Sequence, residues 1–135
     1  MNSLSRDAIL KAKDIKLEKI DTSEWFGADT FVFVKGMTGT ERDSFEASIL
    51  TMKGKKQEVN LANLRAKLAV RTLCDENGSR LFTDADAEDL GQHNAAFLQK
   101  VFYVSQKLSG IGDDEVKEMT EGLKDPFGAS PSGSV

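Results

Sequence analysis

One cysteine, one histidine and no long apolar run set the first limits on this 135-residue chain. Cys74 has no intrachain partner for a disulfide, which points to a reducing compartment. One His and one Cys cannot supply the four N or S ligands of a closed zinc site. No stretch approaches the roughly 18 consecutive apolar residues of a membrane helix. After Met1 the run NSLSRDAILKAKDIK breaks its apolar residues with charge before a signal-peptide core can form, so a cytosolic, membrane-free protein is expected. Glycine-rich phosphate loops are missing too.

Chemistry is equally scarce. Cys74 and His93 are the one thiol and imidazole available, and their spacing carries no signature. Cys74 closes an apolar segment and reads as a small buried hydrophobe, whereas His93 stands in a polar link between Gln92 and Asn94. Asp84, Asp86, Glu88 and Asp89 crowd one short helical stretch, but at those spacings the carboxylates splay around the helix, and acids near a helix N-terminus already suit its dipole. Asp75-Glu76-Asn77-Gly78 lacks the ligand spacing of a calcium loop and reads as a turn. No catalytic residue, metal site or cofactor is therefore assigned, and the chain is not read as an enzyme. A formal net charge of -4 gives no attraction for nucleic acid, and Lys53-Gly54-Lys55-Lys56 reads as a solvated loop.

What is present suits one globular domain: 39% apolar residues balanced by 30% charged ones, in a length that supports a single core. The pattern predicts an α+β fold, a small N-terminal β-hairpin followed by a mainly helical domain of about four helices. Residues 1–13 form a lead-in, 14–122 the domain and 123–135 a flexible tail. Alternation over Asp14–Ile20 predicts a strand with Ile15 and Leu17 on its buried face, paired with the Phe31–Val34 run across the connection DTSEWFGADT. Thr38-Gly39-Thr40-Glu41 has capping-box spacing and starts a helix carrying Phe45, Ile49 and Met52. A second helix is expected over Val59–Leu73 with Leu61, Leu64 and Leu68 inward, and a short one over Asp84–Leu90 behind Thr83. The longest helix, Asn94–Leu108, presents Phe97, Leu98, Val101, Phe102, Val104 and Leu108 as a wide apolar face, ended by Ser109-Gly110. Asp113 is expected to cap a last short helix with Val116 and Met119.

Two features suggest a binding role. Trp25 and Phe26 lie in the hairpin connection, where they either cover the small sheet or anchor a partner. The helix Asn94–Leu108 is apolar over more than a narrow stripe. The candidate contact residues are therefore Trp25, Phe26, Phe97, Val101 and Val104.

Three blocks carry a resemblance. VKGMTGTERDSFEASI (34–49) contains the sequence MTG, then Glu-Arg, then Phe-Glu. NLRAKLAVRTLCDENGSRLFTDADAEDLGQ (63–92) joins a basic amphipathic helix to an acidic-Gly turn and an LFTD block, and AAFLQKVFYVSQKLSGIG (95–112) is a long helix with a Ser-Gly stop. In this order they resemble the tail-assembly chaperones of long-tailed bacteriophages and related prophages. The resemblance covers about residues 14–122. It implies a chaperone in the host cytoplasm that binds the tape-measure protein, helps the tail-tube protein polymerise and is absent from the finished particle; the wide apolar helix face adds the expectation that the candidate contact residues mediate client binding or assembly into a homo-oligomer. It implies two product lengths made by frameshifting, and no catalytic residues. A tail-completion or connector subunit of the virion is the alternative of similar size.

Overall fold

A computed structural model describes residues 1–53, 56–59 and 62–112. The elements run α1 (Arg6–Lys11), β1 (Leu17–Asp21), α2 (Ser23–Phe26), β2 (Phe31–Lys35), α3 (Gly39–Ser48), β3 (Leu50–Lys53), β4 (Lys56–Val59), α4 (Leu64–Thr72), β5 (Leu73–Cys74), a 3-10 turn (Asp84–Asp86), α5 (Ala87–Leu90) and α6 (Ala95–Leu108). The fold class is α+β, with the expected hairpin at its N-terminal side. Leu61, the Gly54-Lys55 tip of the basic loop, the helix expected from Asp113 and the tail 123–135 lie outside the described residues.

The first hairpin pairs Leu17 with Lys35 and Asp21 with Phe31 in antiparallel register. Its inner face is the reverse of the one expected. Ile20 is 3% exposed, whereas Ile15 and Leu17 stand 38% and 39% exposed. The segment carries apolar residues on both parities, and Ile20 sits directly opposite Val32, two residues along from the fully buried Val34. That register turns the even positions of β1 inward. Glu18, on the same parity, keeps its carboxylate at the edge beside Lys107 Nζ, 3.3 Å away.

Two pieces of β-structure stand where helix was expected. Helix α3 opens with the capping box: the Glu41 N–H donates to Thr38 Oγ1 at 3.1 Å and the Thr38 N–H donates to Glu41 Oε1 at 2.8 Å. It ends at Ser48, so Met52 belongs to the β3–β4 hairpin, which pairs Leu50 with Val59 and Lys53 with Lys56. Helix α4 correspondingly begins at Leu64 instead of Val59, after Asn63 takes a left-handed φ of 55°. At its far end Leu73 and Cys74 leave the helix and pair with Val34 and Phe33, giving a three-stranded sheet in the order β1-β2-β5.

Helices α4 and α6 pack on each other and close over the sheet. One core cluster joins Ile20, Val34 and Leu73 to Ala69 and Val70 of α4 and to Phe97, Val101 and Val104 of α6. A second gathers Phe45, Ile49, Leu64, Leu68 and Phe102. The breadth of the apolar face of α6 follows from this double duty: Phe97, Val101 and Val104 serve the sheet side while Phe102 serves the α3 side. Buried polar groups are matched, as where the Thr72 and Ser105 hydroxyls meet at 2.8 Å between α4 and α6.

The motif blocks meet in space. The Met37 N–H donates to Ser109 Oγ at 3.0 Å, and Gly36 passes so close to the end of α6 that a Cβ there would lie 2.6 Å from the Leu108 carbonyl oxygen. The obstacle is backbone, which yields little. Gly36→Ala should therefore cost about 1–3 kcal/mol of stability, read as a lower denaturant midpoint at unchanged m-value.

Candidate interaction surface

The hairpin connection builds one wall of a groove. The Ser23 N–H donates to Asp21 Oδ1 at 2.8 Å and starts the single turn α2. Buried Thr22 donates its hydroxyl to Thr30 Oγ1, which donates in turn to the Gly27 carbonyl, both at 2.8 Å. These bonds pin the connection over the start of α6. Trp25 and Phe26 then stack on Phe97, with ring centroids at 5.6 Å and 5.0 Å, the second edge-to-face. Asn94 orients this end of α6, its Oδ1 accepting from the Ala96 and Phe97 N–H groups.

The opposite wall comes from the segment after β5. Asp75 Oδ1 accepts from the Asn77 and Ser79 N–H groups, and Gly78 at a φ of 83° turns the chain back. Arg80 bridges Cys74, and the Leu81 N–H donates to the Leu73 carbonyl at 3.1 Å. This brings Leu81 and Phe82 opposite Phe26. The cavity between the walls measures about 660 Å³, with Phe31, Val32 and Leu73 of the sheet and Phe97 lining it, and Asp86, Asp89 and His93 at its polar margin. Phe26, Phe31 and Leu81 are 49%, 48% and 53% exposed. Such grouping of large apolar side chains is what marks a contact surface; Tyr103, 52% exposed, is not among the residues lining the groove.

The five residues singled out from sequence thus separate. Phe26 and Phe97 line the groove, whereas Trp25 packs on Phe97 and against the core cluster behind it. Val101 and Val104, 0% and 1% exposed, lie in the core cluster that also holds Phe97. Phe31, Leu81 and Phe82 were missed as site residues, because the groove is assembled from segments far apart in the chain. The one local signal was the apolar pair Leu81-Phe82 between a turn and an acidic stretch.

Two carboxylates of the acidic stretch, Asp84 and Asp86, are held by structural hydrogen bonds. Asp84 takes a hydrogen bond from Arg80 Nη2 at 2.7 Å and another from Arg71 Nη2 at 3.3 Å, while Arg80 Nε also donates to the Val70 carbonyl. Asp86 accepts from the Thr83 N–H at 2.8 Å. Among the described residues no group of three or more His, Cys, Asp or Glu side chains gathers as a metal site. Burial pushes the Cys74 thiol upward, opposite to the shift that activates a nucleophilic cysteine. The hydrogen bond from Arg80, aided by the charge of Arg71, holds the Asp84 carboxyl below its ordinary range against partial burial. A depressed carboxylate stabilises the fold above its unfolded pKa and loses that contribution as pH falls through the folded value. Asp84→Asn should cost on the order of 1 kcal/mol at pH 7, a modest figure because the carboxylate is 58% exposed, with the gap to wild type closing below about pH 4 in urea titrations.

An α+β domain with a preformed apolar groove and an acidic margin has the make-up of a protein that works by binding other proteins. A family model described as phage tail assembly chaperone matches residues 3–121, and the chain belongs to that family. No curated protein and no solved structure matches it. Among the described residues no helix is long and apolar enough to cross a membrane.

Proposed function

We propose that this chaperone works in the host cytoplasm during tail morphogenesis, where it binds the tape-measure protein, promotes polymerisation of the tail-tube protein around it, and is left out of the finished virion. The observation that carries the reading is the open groove at Phe26, Phe31 and Leu81, which offers apolar area to a client without requiring the core to open. Trp25 and Phe97 stiffen that surface, and the cluster containing Val101 and Val104 supports it from beneath. A net charge of -4 keeps a complex with an aggregation-prone client dispersed.

The test follows the chain through assembly by quantitative immunoblotting of tail intermediates and purified particles. Recovery with tape-measure protein in the intermediates and loss from the particles is the expected result. Stoichiometric retention in particles would make it a structural subunit of the tail.

A further inference from the structure

The groove is one of two clusters of uncovered large apolar side chains among the described residues; the other is the N-terminal arm. Residues 1–17 are exposed throughout, and Leu4, Ile9 and Leu10 stand 68%, 57% and 66% exposed. The arm is nevertheless structured, with the Ala8 N–H donating to Ser5 Oγ at 3.1 Å to cap α1. A helix of 6 residues that buries no side chain has little stability of its own in water. Packing must supply it, and the single chain offers none.

The charges of the two clusters are opposite. Arg6, Lys11, Lys13 and Lys16 accompany the apolar residues of the arm against only Asp7 and Asp14, whereas Asp86 and Asp89 are the only charged residues among those lining the groove. The arm joins β1 at Leu17, while the groove adjoins the other end of that strand, where Asp21 pairs with Phe31. Five strand residues separate those ends by roughly 13 Å at about 3.3 Å per residue. The arm therefore leaves the domain at the end away from its own groove.

We propose that the arm of one copy docks in the groove of a second copy, Ile9 and Leu10 packing among Phe26, Phe31 and Leu81 while the arm's basic side chains face Asp86 and Asp89. The two surfaces differ, so the contact is heterologous and joins copies head to tail. A client segment of the same chemistry competes for the groove. The proposal rests on the preceding reading only in treating the groove as a partner surface.

Sedimentation of the full chain without any client tests it. The mass of wild type should rise from 14.8 kDa with concentration. Ile9→Asp with Leu10→Asp removes the arm contact, and Leu81→Asp removes the groove contact. All three sites are exposed, so circular dichroism should show both variants folded. Each alone should stay monomeric at concentrations about 10-fold above those that half-assemble wild type. Mixed equally, they retain one good arm and one good groove per pair, so the mass should double and rise no further. A monomeric wild type, assembly by either variant alone, or a mixture that stays monomeric would each overturn the proposal, as would a monomer whose arm is protected from protease in its own groove. Because no client is present, these failures leave the chaperone reading standing. Failure of wild type to keep tape-measure protein soluble would remove that reading without touching the arm.

Discussion

Phe45→Ala should remove about 3–5 kcal/mol of folding stability and lower the melting temperature by roughly 10–20 °C. Phe45 is fully buried and joins Met37, Ile49, Leu64, Leu68, Phe102 and Ile111, so its ring touches what α3, α4 and α6 all contribute to one cluster. Truncation to Ala loses the transfer energy of the ring and leaves a cavity that three elements would have to close together. Arg71 aggravates the loss. Its guanidinium lies 5.7 Å from the Phe45 ring centroid and is largely buried, so the ring also shields a charge whose close carboxylate among the described residues, Asp84, is mostly in solvent. Thermal melts followed by circular dichroism measure the effect. A melting temperature within about 3 °C of wild type would mean that the α3 cluster contributes little to the fold.

Leu81→Asp should leave stability almost unchanged and weaken client binding by about 10-fold or more. Leu81 is 53% exposed, and its attachment to the sheet runs through its own N–H and the Leu73 carbonyl, which the substitution keeps. A carboxylate there would have to lose water against an apolar partner and would add to the charge of Asp86 and Asp89. The measurement is affinity for purified tape-measure segments, with Tyr103→Asp as the control, because Tyr103 is equally exposed but lies outside the groove. Equal weakening by both substitutions would show that charge, and not the groove, decides binding.

Much of the helical framework was legible because its signals are local. The Thr38 capping box and the apolar periodicity of α6 are set by residues within two turns of one another. The hairpin connection was legible in outline, but not that Phe26 stands 49% exposed while its ring meets Phe97 edge-to-face. The β3–β4 hairpin was not, because Phe45, Ile49 and Met52 keep helical spacing across a boundary at which the helix has already stopped. The strand Leu73–Cys74 was hidden in the same way: it continues the apolar run of α4, and only its pairing with Phe33 and Val34, forty residues earlier, distinguishes it from helix. The inward face of β1 was misread because the tie between Ile15 with Leu17 and Ile20 is broken by register with β2. The groove follows the same rule. Its aromatic wall sits in one segment and could be suspected, whereas Leu81 acquires meaning only once Gly78 has turned it back beside β5. Val101 and Val104 show the converse, since a wide apolar helix face reads alike whether it meets a partner or two layers of its own domain.

The most direct test of the chaperone account is co-expression of this chain with a tape-measure protein of its own phage, scoring how much of that protein stays soluble and co-purifies. Wild type should keep most of it soluble in a stable complex, and Leu81→Asp should not. A tape-measure protein that precipitates equally with and without the chain would contradict the account.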